Sequence, residues 1–169
     1  MKLPSRFCIS LVFGAVLLTI FGCGEPLPPG MPRLNPCTIS VKMNGQPVEN
    51  AKITLSSESV KYACTGFTNA SGTTKIMTDG KYKGAPAGSY KVLVTKIEVE
   101  EREYKGFMEE AKLPPKKRTV IVDLKFDDAE TTPFMVEIVD GKSASLECEV
   151  TPPDNPELPK DYGIKKSKK

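Results

Sequence analysis

The sequence contains no histidine and no tryptophan. Without histidine the commonest general base and the commonest metal ligand are gone. Ser-His-Asp and Cys-His catalysis and His-ligated zinc sites are excluded. Without tryptophan a sugar-binding platform must be built from the few tyrosines. An excess of charge of one sign is also missing. The chain has 24 Lys+Arg against 21 Asp+Glu, and removing Lys2 and Arg6 with a leader would lower its formal charge from +3 to +1. That balance gives no case for a nucleic-acid partner, which needs a basic stripe. No segment after the N-terminus sustains a helical apolar repeat. The inventory predicts no enzyme, no cofactor and no metal site.

What is present begins at the N-terminus. Lys2 and Arg6 precede a mostly apolar run, "FCISLVFGAVLLTIF", from Phe7 to Phe21. Its length suits a signal-peptide core and is short for a membrane span. Ile20-Phe21-Gly22-Cys23 then resembles a bacterial lipobox, although Phe21 is bulkier than the usual occupant. The resemblance implies cleavage after Gly22, so that residues 1–22 are a signal peptide, and lipidation of Cys23. Several acyl chains on one residue would hold the protein to a membrane far better than the marginal single chain. Gly24 follows, not the aspartate that retains some lipoproteins in the inner membrane. By analogy this favours an outer-membrane or surface position in a bacterial envelope. Residues 23–36, rich in proline, read as an extended tether.

From Cys37 the pattern changes to period two. "CTISVKM" alternates Cys37, Ile39, Val41 and Met43 with Thr38, Ser40 and Lys42, the mark of a half-buried strand. Asn44-Gly45, "NASG" at 69–72, Asp79-Gly80 and Asp140-Gly141 read as turns, the last as a hairpin. Between them lie strand patterns at "AKITL", "KYACTGFT", "TTKIMT", "SYKVLVT", "RTVIVDLKF", "PFMVEIV" and "SASLECEV". Leu93 is expected to face a second layer. Seven or eight short strands indicate an all-β antiparallel sandwich over residues 37–150. Residues 96–117 form a charged insertion that reads equally as an extended hairpin arm, a short helix or a loop. Residues 151–169, rich in Pro and Lys, are expected to be disordered.

"NGQPVENAKITL", "TGFTNASGTTKI" and "GAPAGSYKVLVTK" occur in that order. Together they resemble the carboxypeptidase-regulatory-like, or transthyretin (prealbumin)-like, domain of bacterial envelope proteins. Gly45, Pro47, Val48, Ala51, Thr68, Gly72, Pro86, Gly88, Tyr90 and Val92 occupy the motif positions. The resemblance implies a transthyretin-like, Ig-like sandwich and structural roles for these residues. Tyr90 would bury its ring and send its hydroxyl to a turn carbonyl. The enzymatic branch of the group needs histidine, which this chain lacks.

Three cysteines remain besides Cys23. One disulfide is plausible in an oxidising compartment, with Cys37–Cys148 ranked first, since the first and last strands hold them. Three buried thiols are the alternative. Asp123, Asp127, Asp128 and Glu130 form an acidic cluster without calcium-loop spacing, so a solvated loop is expected. Tyr104, Phe107, Lys116, Lys117 and Arg118, in and beside the insertion, make the candidate partner surface. "KLPPKKR" could also meet lipid head groups or anionic glycan. The composite expectation is a lipid-anchored, non-catalytic binding or structural module. Its partner would be another envelope protein, met through a sheet edge or the arm. The alternative is a glycan-binding module using Tyr62, Tyr82 and Tyr104. Oligomeric state is not specified.

Overall fold

The computed structural model describes residues 27–103, 106, 113, 115–159 and 162. The apolar run and Cys23 lie outside the described residues, as do Tyr104 and Phe107. Among the described residues no helix is long and apolar enough to cross a membrane.

The fold is all-β. One sheet has the order β13-β10-β4-β5-β7-β8. Its strands are β4 (Lys52–Ser56), β5 (Cys64–Phe67), β7 (Met77–Thr78), β8 (Tyr82–Lys83), β10 (Gly88–Thr95) and β13 (Met135–Ile138). The other is built on β2 (Cys37–Met43), which pairs with β3 (Gln46–Pro47), β6 (Thr73–Lys75) and β14 (Ala144–Val150). Two small ladders complete it: β1 (Leu34–Asn35) with β9 (Ala85–Pro86), and β11 (Ile97–Val99) with β12 (Arg118–Val120). Among the described residues fourteen segments replace the expected seven or eight strands, because several pairings last only two residues.

Period two explains the core. Ile39 and Val41 from β2 and Cys148 and Val150 from β14 meet Ile53, Tyr90, Val92, Val94 and Ile138 from the other sheet. All are buried, and each strand shows its alternate residues to solvent. Leu93 is one of those alternates. It is half-buried on the outer face rather than packed against a second layer.

Two turn glycines are fixed by space as well as by dihedral angle. At Gly72 (φ +72°) a Cβ would lie 2.6 Å from the Val41 carbonyl oxygen, and at Gly84 (φ +100°) it would lie 2.5 Å from that of Asn35. Thr68 joins two segments: its hydroxyl donates to the Val48 carbonyl at 2.6 Å and accepts from the Ala51 N–H at 2.8 Å.

Several expectations need correction. β14 runs parallel to β2 over its whole length, in register from Ala144 opposite Cys37 to Val150 opposite Met43. Asp140-Gly141 is therefore no hairpin turn; it carries the chain from β13 in one sheet to β14 in the other. "TTKIMT" is two strands, because the chain crosses between sheets at buried Ile76. "RTVIVDLKF" leaves β12 and ends in a 3₁₀-helix, Leu124–Asp127, whose N-cap Asp123 accepts from Lys125 N–H at 3.0 Å. The tether ends early, since Leu34 and Asn35 already pair with β9. The tail is not disordered over residues 151–159. Val120 N–H donates to the Pro156 carbonyl and Asp123 N–H to that of Thr151, and Thr119 bridges Glu157. Proline cannot donate, but its carbonyl accepts, so a proline-rich strip can still cover the outer edge of β12.

Candidate functional site

The strands give the sandwich two chemically distinct ends. β10 starts beside β1, where Leu34 faces Pro86. It runs eight residues, about 25 Å at the usual rise per strand residue. It then passes directly into β11 at the other end. The chain arrives at the first end, here called the tether end. The β11–β12 arm and the tail pack together at the second, the arm end.

At the tether end a cleft of about 560 Å³ is lined by Pro32 and Arg33 from the tether, the 59–62 loop, Pro86, Ala87 and Asp140. Tyr62 donates from its hydroxyl to the Gly30 carbonyl at 3.3 Å, so the domain itself grips the tether. The one carboxylate of the cleft, Asp140, faces Arg33 at 3.7 Å in an exposed pair. Beneath it Tyr90, buried, donates to the Pro86 carbonyl at 2.8 Å, the corner expected from the sequence. Burial pushes the Tyr90 hydroxyl up to about 12, which keeps it a neutral donor. Asn35 is buried there too. Its Oδ1 accepts from Gly141 N–H at 2.7 Å, while its Nδ2 has no partner.

At the arm end a groove of about 630 Å³ runs between arm and tail. Lys116, Lys117 and Arg118 line it from the arm, and Glu157, Leu158 and Tyr162 from the tail. The three cations are exposed. The arm base is a true hairpin: Glu100 accepts from Lys117 N–H at 3.2 Å and from the Arg102 guanidinium at 2.7 Å. These bonds, Arg102 first, hold the Glu100 carboxyl below its ordinary value. The tail is tied down by Tyr162, whose hydroxyl donates to Asp127; the Thr95 hydroxyl donates to the same carboxylate. Burial and then this carboxylate raise the Tyr162 hydroxyl.

The structure brings together only part of the sequence-predicted sites. Lys116, Lys117 and Arg118 share one groove. Tyr62 lines the tether-end cleft, and Tyr82 lies on β8. The acidic cluster does not converge. Asp123 caps the 3₁₀-helix, Asp127 accepts the two hydroxyls, and Asp128 accepts from Glu130 N–H at 2.8 Å. Among the described residues no group of ligating side chains is placed to hold a metal.

The Cys37–Cys148 disulfide is not formed: Cys37, Cys64 and Cys148 are buried free thiols. The parallel register places Cys148 opposite Val41, four positions along from Cys37. That is about 13 Å along the strand, far beyond the roughly 7 Å a disulfide can span. Burial pushes the thiols of Cys37 and Cys148 up to about 11 and about 12, and that of Cys64 upward as well. Sequence reasoning missed Glu157, Leu158 and Tyr162 as groove residues, because the tail was read as unstructured.

Comparison with protein-family models, with curated proteins and with solved structures found no match for this chain.

Proposed function

We propose that this is a lipid-anchored protein of a bacterial cell envelope. Its transthyretin-like sandwich is a non-catalytic binding module that presents its arm end to a partner. The observation that supports this reading is the polarity of the domain. The chain reaches the sandwich at Leu34, and the cationic groove lies at the opposite end of β10. An acyl group on Cys23 would hold the tether end toward the bilayer and leave the arm end facing outward. The tether-end cleft offers a single carboxylate, already paired with Arg33, where carboxylate hydrolysis needs two acids tuned in opposite directions.

Intact-mass measurement of the full chain recovered from a bacterial membrane tests the anchor. The expected result is loss of residues 1–22, an acyl increment on Cys23, and no increment in Cys23→Ala. Retention of residues 1–22 in the native material, or an unmodified Cys23, contradicts the reading.

A further inference from the structure

We propose that the arm-end groove takes an acidic polysaccharide, bound by Lys116, Lys117 and Arg118 on the arm and Glu157 and Tyr162 on the tail. The inference rests on the anchored-module reading and deepens it by naming the class of partner.

Among its described lining residues the groove has three consecutive cations, Lys116, Lys117 and Arg118, and one carboxylate, Glu157. Along an extended chain, side chains two apart share a face about 7 Å apart, so Lys116 and Arg118 present a pair of positive charges at that spacing. A linear polyanion repeats its charge along the chain and so can meet that pair at successive positions. Guanidinium pairs with carboxylate or sulfate in bidentate fashion, and the two ammonium groups act as point charges. Glu157 can only accept, which suits sugar hydroxyls and repels bare acidic groups. Leu158 and the ring of Tyr162 give the apolar wall on which a sugar face can rest.

Two rival occupants fit less well. A protein partner draws its affinity from desolvated aromatic and apolar anchors. Among the described groove residues, Val99 is the one exposed large hydrophobic, and it is only about half exposed. Anionic lipid of the anchoring membrane would share the charge chemistry. However, the tether reaches the domain about 25 Å away, at the far end of β10.

The test uses the full chain purified in a non-ionic detergent. Binding is measured to polygalacturonate (carboxylated) and to heparin oligosaccharide (sulfated), with dextran as the neutral polymer and phosphatidylglycerol vesicles as the lipid arm. The expected result is binding to at least one polyanion and none to dextran. Affinity should fall with added salt, and at least about tenfold in the Lys116→Gln/Lys117→Gln/Arg118→Gln variant. Lys116→Arg/Lys117→Arg, which keeps the charge and adds bidentate donors, should bind at least as tightly as the parent. These side chains are exposed, so the circular dichroism spectrum should not change. Should the triple variant misfold, Lys117→Glu alone is expected to weaken binding in the same direction.

Retention of neither polyanion, undiminished binding in the charge variants, or tighter binding to the vesicles than to both polymers overturns the proposal. An acylated chain that captures an envelope protein but no polyanion loses this inference and keeps the module. A chain without acyl group that still retains polyanion does the reverse.

Discussion

At the tether end the backbone closes on buried donors and acceptors. Tyr90 reaches Pro86, Asn35 accepts from Gly141, and Gly84 lies against the Asn35 carbonyl. At the arm end the sandwich body keeps buried bonds too, as where Thr68 joins Val48 and Ala51, but the arm and tail are held by charged contacts such as Glu100 with Arg102 and by a strip laid over the edge of β12. The first kind of contact has no substitute once broken, because a buried polar group left alone loses water as well as its partner. The second kind is screened and replaceable. The sandwich body is therefore fixed at both ends, and what can adapt is the arm and tail laid on it.

Substitutions sharpen that contrast. The largest effect is expected from Gly84→Ala, which forces a side chain into left-handed backbone and against the Asn35 carbonyl. Loss of about 3 kcal/mol or more, or failure to fold, is the expected outcome in urea denaturation. A parent-like midpoint would show that the tether end has slack. Thr68→Val comes next. It leaves the Ala51 N–H and the Val48 carbonyl without their buried partner and should cost about 1–3 kcal/mol in the same measurement. At the arm end Tyr162→Phe removes one hydrogen bond to Asp127, which keeps Thr95. It should leave the thermal midpoint nearly unchanged and speed amide exchange at Val120 and Asp123, which donate to the tail. A collapse of global stability would contradict the distinction between the body and the tail laid on it.

The thiols add a pH dependence whose sign follows from burial. Burial raises their folded values above that of an ordinary thiol, to about 11 for Cys37 and about 12 for Cys148. Their contribution to stability is thus fully present below about pH 9. Above that the unfolded chain releases protons that the folded chain keeps, and stability falls until the folded thiols ionise too. Thermal midpoints should be flat to about pH 8 and drop between pH 9 and 11. A thiol reagent should label Cys37, Cys64 and Cys148 only after denaturant is added.

The body of the sandwich was legible because its signals are local. Alternation in "CTISVKM" and "SYKVLVT" gives β2 and β10 directly, and the glycine-bearing turns mark their ends. The Tyr90 hydroxyl bond was legible for the same reason, since its acceptor Pro86 is four residues away. What could not be read is non-local. Nothing within "SASLECEV" says that it lies parallel to β2, across a separation of more than a hundred residues, and the cysteine pairing failed on that point. The tail failed for a different reason. Its composition argues against a core, but order there needs only carbonyls that face the N–H groups of Val120 and Asp123. Lys116, Lys117 and Arg118 were legible as a basic run, whereas the groove needed the tail to close it.

The separation of the two ends is tested most directly by depth measurement on the full chain held in vesicles through its own N-terminus. A fluorophore is placed by Lys61→Cys at the tether end or by Lys117→Cys at the arm end, the thiols of Cys37, Cys64 and Cys148 being buried. Nitroxide-labelled lipid should quench the probe at position 61 strongly and the probe at position 117 weakly. Equal quenching, or stronger quenching at 117, would contradict a domain that lies tether end to the membrane and arm end away from it.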